Sequence, residues 1–187
     1  MIMKDKLSNG LDSIHPKIVM QEKALIKEGR VFAIVKQKGC DDRYIDFGKN
    51  LIVETGDILV ASLAKGEPIP AVTHMALGSG LPWWDTSNPP VPVRSDSYLK
   101  AEYYRKAITS TQFVLSDGTP SANPTMIVDF VTSFAEGEPT GALMELGLFG
   151  GTDADVINGG YLLAYRIIPI WNIGADVAIT FVWRVTF

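Results

Sequence analysis

The last eleven residues of the chain alternate in polarity at every step. Val177, Ile179, Phe181, Trp183, Val185 and Phe187 share one parity, and Ala178, Thr180, Val182, Arg184 and Thr186 share the other. Successive side chains of a strand point to opposite faces, so this spacing predicts a long strand with one strongly apolar face. No residue follows Phe187. The expectation is a compact β-module built to pack, less suited to an enzyme with a mobile active-site tail.

Upstream segments carry the same signature. Residues 161–168 alternate, with Tyr161, Leu163, Tyr165 and Ile167 opposite Leu162, Ala164, Arg166 and Ile168, and residues 125–134 place Val128, Phe130, Thr132 and Phe134 on one face. Short apolar runs at 72–77, 112–115 and 144–149 end in Gly, Pro or Asp turns, among them Gly78-Ser79-Gly80 and Ser116-Asp117-Gly118. Pro169–Asp176 reads as the turn into the last strand, and 98–108 is compatible with helix or strand. A parallel sheet would need helices between its strands, and 110–187 offers none. The expected fold is therefore mainly β, an antiparallel β-sandwich.

The N-terminal part differs. Residues 13–28 read as a helix, capped by Asp12 or Ser13, with Pro16 in the first turn and Ile14, Ile18, Leu25 and Ile26 on one side. Val31–Val35 and Arg43–Phe47 read as a strand pair. Leu51, Ile52, Ile58, Leu59 and Leu63 recur at helical spacing before Gly66, although Gly56 costs such a helix roughly 1 kcal/mol. Residues 1–49 carry ten Lys/Arg and seven Asp/Glu, net +3, whereas 50–187 carry seven and fourteen, net −7. This division leads to a helix-containing N-terminal arm or small subdomain, 1–49, and a β-sandwich domain, 50–187.

Several function classes lose support. The chain of 187 residues is 47% hydrophobic and 20% charged, enough for one packed domain. It has no apolar run of membrane-spanning length, and its first residues lack the apolar core of a signal peptide. Cys40 stands alone, which rules out an intrachain disulfide framework. With one cysteine and two histidines, His15 and His74, the usual zinc ligand sets cannot be assembled. His74 lies in an apolar run with no nucleophile or orienting acid at motif spacing and reads as a structural histidine. Asp153, Asp155 and Asn158 resemble part of a calcium loop, but Ile157 stands where an oxygen donor belongs. Pro82 and Trp83 follow Gly78-Ser79-Gly80 where a phosphate-binding helix would start. The basic residues are interleaved with acids and lack an aromatic platform, so nucleic-acid recognition is not expected.

One loop stands out. Residues 81–97 hold four prolines, at 82, 89, 90 and 92, and the adjacent aromatics Trp83 and Trp84. Such a pair can dock in a partner's pocket or, with Tyr98, stack on sugar; it can equally fold back on the core.

Taken in order, the segments Asn50–Gly56, Thr73–Gly80, Glu102–Thr109, Glu145–Gly150, Gly160–Arg166 and Ala178–Phe187 resemble tailed-bacteriophage structural proteins. The resemblance is to the N-terminal β-domains of tail-collar and tail-fibre proteins and to related neck or baseplate components. A His-Met-Ala-x-Gly-x-Gly strand (74–80), an acid-plus-arginine segment (Glu102, Arg105), a Glu-x-Gly-Leu-Phe strand (145–149) and a closing tryptophan strand carry it, over roughly 50–187. It implies a non-enzymatic virion component of the neck, collar, tail or baseplate, assembled in the host cytoplasm and needing no cofactor. Such a protein would act by homo-oligomerisation and by docking on portal, neck, tail, fibre or capsid proteins. On physical grounds, Glu102 with Arg105, and Glu145 with Arg166 or Arg184, are expected to form charge pairs inside the sandwich or at subunit contacts. Fibre proteins continue into a shaft, and this chain stops at Phe187, so an adaptor or collar piece is expected before a whole fibre. The alternatives are a capsid decoration protein and a carbohydrate-binding β-sandwich that uses Trp83 and Trp84.

Overall fold

A computed structural model describes residues 28–187. The helix expected over 13–28 and His15 therefore fall almost wholly outside the described residues, and Glu28 already opens the first strand. In chain order the elements are β1 (Glu28–Gln37), β2 (Arg43–Ile52), α1 (Glu54–Lys65), β3 (Val72–Gly78), β4 (Glu102–Ala107) and β5 (Ser110–Val114). They are followed by β6 (Pro120–Ser121), β7 (Ile127–Phe134), β8 (Gly141–Gly150), β9 (Tyr161–Ile173) and β10 (Val177–Thr186). The chain is mainly β, as the alternation predicted.

All ten strands join one antiparallel sheet in the order β4-β3-β8-β9-β2-β1-β10-β7-β5-β6. The join between its two halves is β2. Most of β2 pairs with β1, and only Leu51 and Ile52 pair with β9, against Tyr165 and Ala164. The sheet folds over, so that Tyr104 of β4 meets Phe134 of β7 edge-on, with ring centroids 5.9 Å apart. Hydrogen bonding is thus continuous through β2, where the sequence reading expected a sandwich.

β10 explains the terminal alternation. Val177, Ile179, Phe181, Trp183 and Val185 are all buried, and each intervening residue is half-buried. Trp183 lies between Val31 of β1 and Phe130 of β7, while the Phe181 ring meets Phe134, Phe47 and Trp171 at 5.7, 6.2 and 6.5 Å. Burying each such ring contributes roughly 1.5–3 kcal/mol. The core they share draws on both halves of the sheet, including Met75, Leu77, Leu146 and Leu148. A second cluster gathers Phe149, Leu162, Tyr165 and Ile167 with Leu99, Ala154 and Val53 from the connecting segments.

The structure corrects two local expectations, for Leu51–Ile52 and for Pro169, and resolves 98–108, which the sequence left open. Leu51 and Ile52 finish β2, and the helix begins only at Glu54. A helix ending at Gly66 was read correctly, but Ile58 lies exposed and the buried face is Gly56 and Leu59; Gly66 closes the helix in the left-handed region (φ 84°), its N–H bonded to the Leu63 carbonyl. Residues 98–108 resolve to strand from Glu102. Pro169 does not end β9, which runs on to Ile173. The β8–β9 register shifts between Leu143↔Trp171 and Glu145↔Ile167, and that irregularity accommodates a residue with no N–H to donate. Finally, the expected boundary between residues 49 and 50 falls inside β2, and β1 pairs along its whole length with β10.

Candidate docking surface

Glu145 sits in the middle of β8, flanked by Leu143, Met144, Leu146 and Leu148, and has no solvent exposure. A carboxylate buried there must find donors. Three are backbone N–H groups: Gly80 at 3.1 Å, Lys100 at 2.7 Å and Ala101 at 2.9 Å. The fourth is the Tyr165 hydroxyl from β9. Burial, and then the negative charge of Glu145, push the Tyr165 hydroxyl pKa far up, so it serves as a donor. The glycines make the niche. A Cβ on Gly78 would lie 2.7 Å from Glu145 Oε2 and 3.0 Å from the Ala101 carbonyl, and Gly80 has φ +72°. Gly78-Ser79-Gly80 therefore cradles an internal carboxylate.

The consequence is mechanical. Gly80 and Lys100–Ala101 are the two ends of the proline-rich connection between β3 and β4, and one carboxylate ties both. The connection is fastened along its length as well. Asp85 Oδ1 accepts from the Ser87 and Asn88 N–H groups, the Thr86 carbonyl from Ile170 N–H, and the Arg94 carbonyl from Glu54 N–H at the start of α1. Arg94 pairs with Asp57 at 2.5 Å, and Lys100 with Asp96 at 2.8 Å. The segment has no regular secondary structure, as predicted, yet it is held at many points.

Among the residues it turns outward are four large apolar or aromatic side chains, interspersed with Asp85, Thr86, Ser87, Asn88, Arg94 and Ser95. Trp83 is 77% exposed, Val91 83%, Val93 56% and Tyr98 47%. Trp84 turns inward onto the second cluster, with its ring against Gly80. The two tryptophans thus point to different environments, and Tyr98 carries the Lys100 ammonium 4.7 Å above its ring.

Of the other charge pairs expected from the sequence, one forms and the others do not. Glu102 and Arg105 do form a buried bidentate pair, at 2.6 and 2.7 Å. Arg105 also donates to the carbonyls of Ala154 and Gly159, each at 2.9 Å, and lies 3.9 Å over the Phe149 ring. That clamp holds the 151–160 connection as a turn, the segment that had resembled a calcium loop. Glu145 pairs with neither Arg166 nor Arg184. Arg184 is taken by Asp129, bidentate at 2.8 Å, and Arg166 has no carboxylate among the described residues. Because Glu145 is sealed in the interior, it acts on the surface only through the loop it anchors.

His74 is half-buried on β3, its Nδ1 2.9 Å from the Thr73 hydroxyl, and burial lowers its pKa. Among the described residues no group of three His, Cys, Asp or Glu is placed to hold a metal ion, and no helix is long and apolar enough to cross a membrane. Sequence reasoning missed Tyr165 as a buried donor to Glu145, and Val91 and Val93 as exposed parts of this surface. A charged residue inside an otherwise apolar strand, and valines interleaved with prolines, were the available signals.

Residues 69–140 match the model of a family described as a baseplate wedge 3 tail fiber network component. The match covers less than half of the 187 residues but contains β3 to β7 and the whole of the clamped loop. No curated protein matches the chain significantly. Over that segment the chain is similar to this family, and the similarity supports a structural protein of a phage tail or baseplate.

Proposed function

We propose that this chain is a non-enzymatic virion component that docks onto other tail or baseplate proteins through the loop 81–98. The observation that carries this reading is a loop fastened at both ends by buried Glu145, with Trp83, Val91, Val93 and Tyr98 turned to solvent. Exposed aromatics are costly to leave uncovered and are typical anchors of interfaces. A loop already held by hydrogen bonds and prolines loses little conformational entropy when a partner covers it. The same reading includes an adaptor role, in which copies of the chain assemble and the segment before β1, residues 1–27 with five Lys against three Asp/Glu, reaches a neighbouring subunit.

The test is assembly. Light scattering and co-purification of the chain with the tail and baseplate proteins of its own phage should give a defined complex. Trp83→Ala combined with Val91→Ser should abolish it while leaving thermal stability of the isolated chain within about 0.5 kcal/mol, because exposed side chains contribute little to folding. A strict monomer that joins no assembly would defeat the proposal. Binding to a glycan array, lost in the same variant, would favour the carbohydrate reading instead.

A further inference from the structure

The two halves of the sheet are finished differently on their outer faces. On β3, β8 and β9 the chain covers itself: Leu99 and Trp84 of the proline-rich connection and Ala154 of the 151–160 turn share one cluster with Ala76, Phe149, Leu162 and Tyr165. On β2, β1, β10 and β7 the register sets Phe32 beside Val182 and Val182 beside Val131, with Ile34 between Tyr44 and Thr180. Among the described residues, Phe32, Ile34, Val131 and Val182 belong to neither apolar cluster. Tyr44 is 67% exposed, its ring 5.6 Å from that of Phe32. Ion pairs flank the patch, Arg30 with Asp46 and Arg184 with Asp129 on one side and Lys36 with Asp42 on the other. An apolar centre within a charged rim is the anatomy of an interface.

A matching apolar segment precedes β1. The run 14–26 carries Ile14, Ile18, Leu25 and Ile26 at the spacing of one helical side. It joins the sheet at Glu28, which pairs with Thr186 at the end of the β1–β10 ladder that bears the patch. Only Lys27 separates Ile26 from Glu28. Reversal of the chain onto a sheet takes at least about two residues, so within one copy Leu25 and Ile26 would fall in the turn, off the end of the ladder. Laid on a second copy, the whole run can reach Phe32 and Val182. Charge favours the same arrangement, since residues 1–27 hold five Lys against three Asp/Glu and residues 28–187 hold twelve Lys/Arg against eighteen Asp/Glu.

We propose that residues 14–26 of a neighbouring copy cover this face, with their apolar side chains on Phe32, Ile34, Val131 and Val182. This rests on the adaptor role and adds the surface that receives the segment. The test is disulfide trapping in full-length chains that carry Cys40→Ser, because Cys40 is exposed. Chains with Ile18→Cys are mixed with differently tagged chains carrying Val182→Cys and oxidised with glutathione disulfide. A disulfide joining the two tags is expected, and Leu25→Cys in place of Ile18→Cys should give it too. Ala64→Cys, exposed on α1, should not when it replaces Val182→Cys. Equal trapping at residues 64 and 182 would mean chance encounter and overturn the site. A disulfide that forms only within one chain carrying both cysteines would put the segment on its own copy and refute the neighbour. Chains that assemble in light scattering but trap no disulfide would sink this inference and leave the adaptor role standing, whereas chains that stay monomeric would defeat both.

Discussion

The Tyr165 hydroxyl of β9 donates to the Glu145 carboxylate of β8, and neither residue is exposed to solvent. Through the other bonds of that carboxylate, a contact inside the sheet sets the position of a surface loop.

Glu145→Gln should therefore be costly. The new amide would turn an N–H₂ toward donors that need an acceptor, and a destabilisation of about 2–4 kcal/mol is expected. Tyr165→Phe removes one donor and should cost about 1–3 kcal/mol. Urea denaturation measures both. If Glu145→Gln leaves the midpoint unchanged, the carboxylate does not anchor the loop.

Gly56→Ala sets a local preference against a tertiary one. In an isolated helix alanine is better than glycine by about 1 kcal/mol. In this fold the added Cβ would lie 2.4 Å from the Leu163 carbonyl oxygen and 2.9 Å from its Cα. These are backbone atoms of β9 and cannot turn aside, so α1 must lift off the sheet. Net destabilisation of more than about 1 kcal/mol is expected from thermal or urea melting.

Arg105→Met should release the 151–160 turn. It strands the buried Glu102 carboxylate and frees the carbonyls of Ala154 and Gly159, at an expected cost of about 3–5 kcal/mol. Hydrogen exchange should speed up at Asn158, whose N–H is held by Glu102 at 3.1 Å. Arg105→Lys keeps the charge but not the fork and should fall between the two.

Alkaline pH should destabilise the chain through its tyrosines. Burial, together with its bond to Glu138, pushes the Tyr104 pKa up to about 12. Burial likewise raises Tyr103 and Tyr165. Unfolded tyrosine loses its proton near its ordinary value of about 10, so above that pH the unfolded state binds fewer protons than the native state. The stabilisation is fully present below the unfolded value and is lost as pH rises through the folded one. Unfolding midpoints should fall between about pH 10 and 12, and less steeply in Tyr104→Phe. An identical slope in the variant would show that Tyr104 contributes nothing to the linkage.

Local pattern carried much of this fold. The strict alternation from Val177 to Phe187 specified a strand and its buried face, because a period of two depends only on neighbouring residues. Gly66 marked the end of α1 for an equally local reason, a left-handed cap that glycine adopts freely. Pairing was another matter. Whether Leu51 belongs to strand or helix depends on Tyr165, more than a hundred positions away, being there to pair with it. The apolar spacing of 51–63 alone does not distinguish them.

The candidate site divides the same way. That 81–97 is an extended loop was legible in its prolines, whereas the sequence left the exposure of its aromatics open between an outward and an inward arrangement. Which tryptophan faces outward, and that Glu145 meets Gly80, Lys100 and Ala101 instead of an arginine, were decided only when β3, β8 and β9 came together. Sequence by itself determined what each segment can be, since turn chemistry and periodicity are properties of adjacent residues. Tertiary structure alone decided which partner each buried charge takes, because in a desolvated interior the nearest donors win, and those come from elsewhere in the chain.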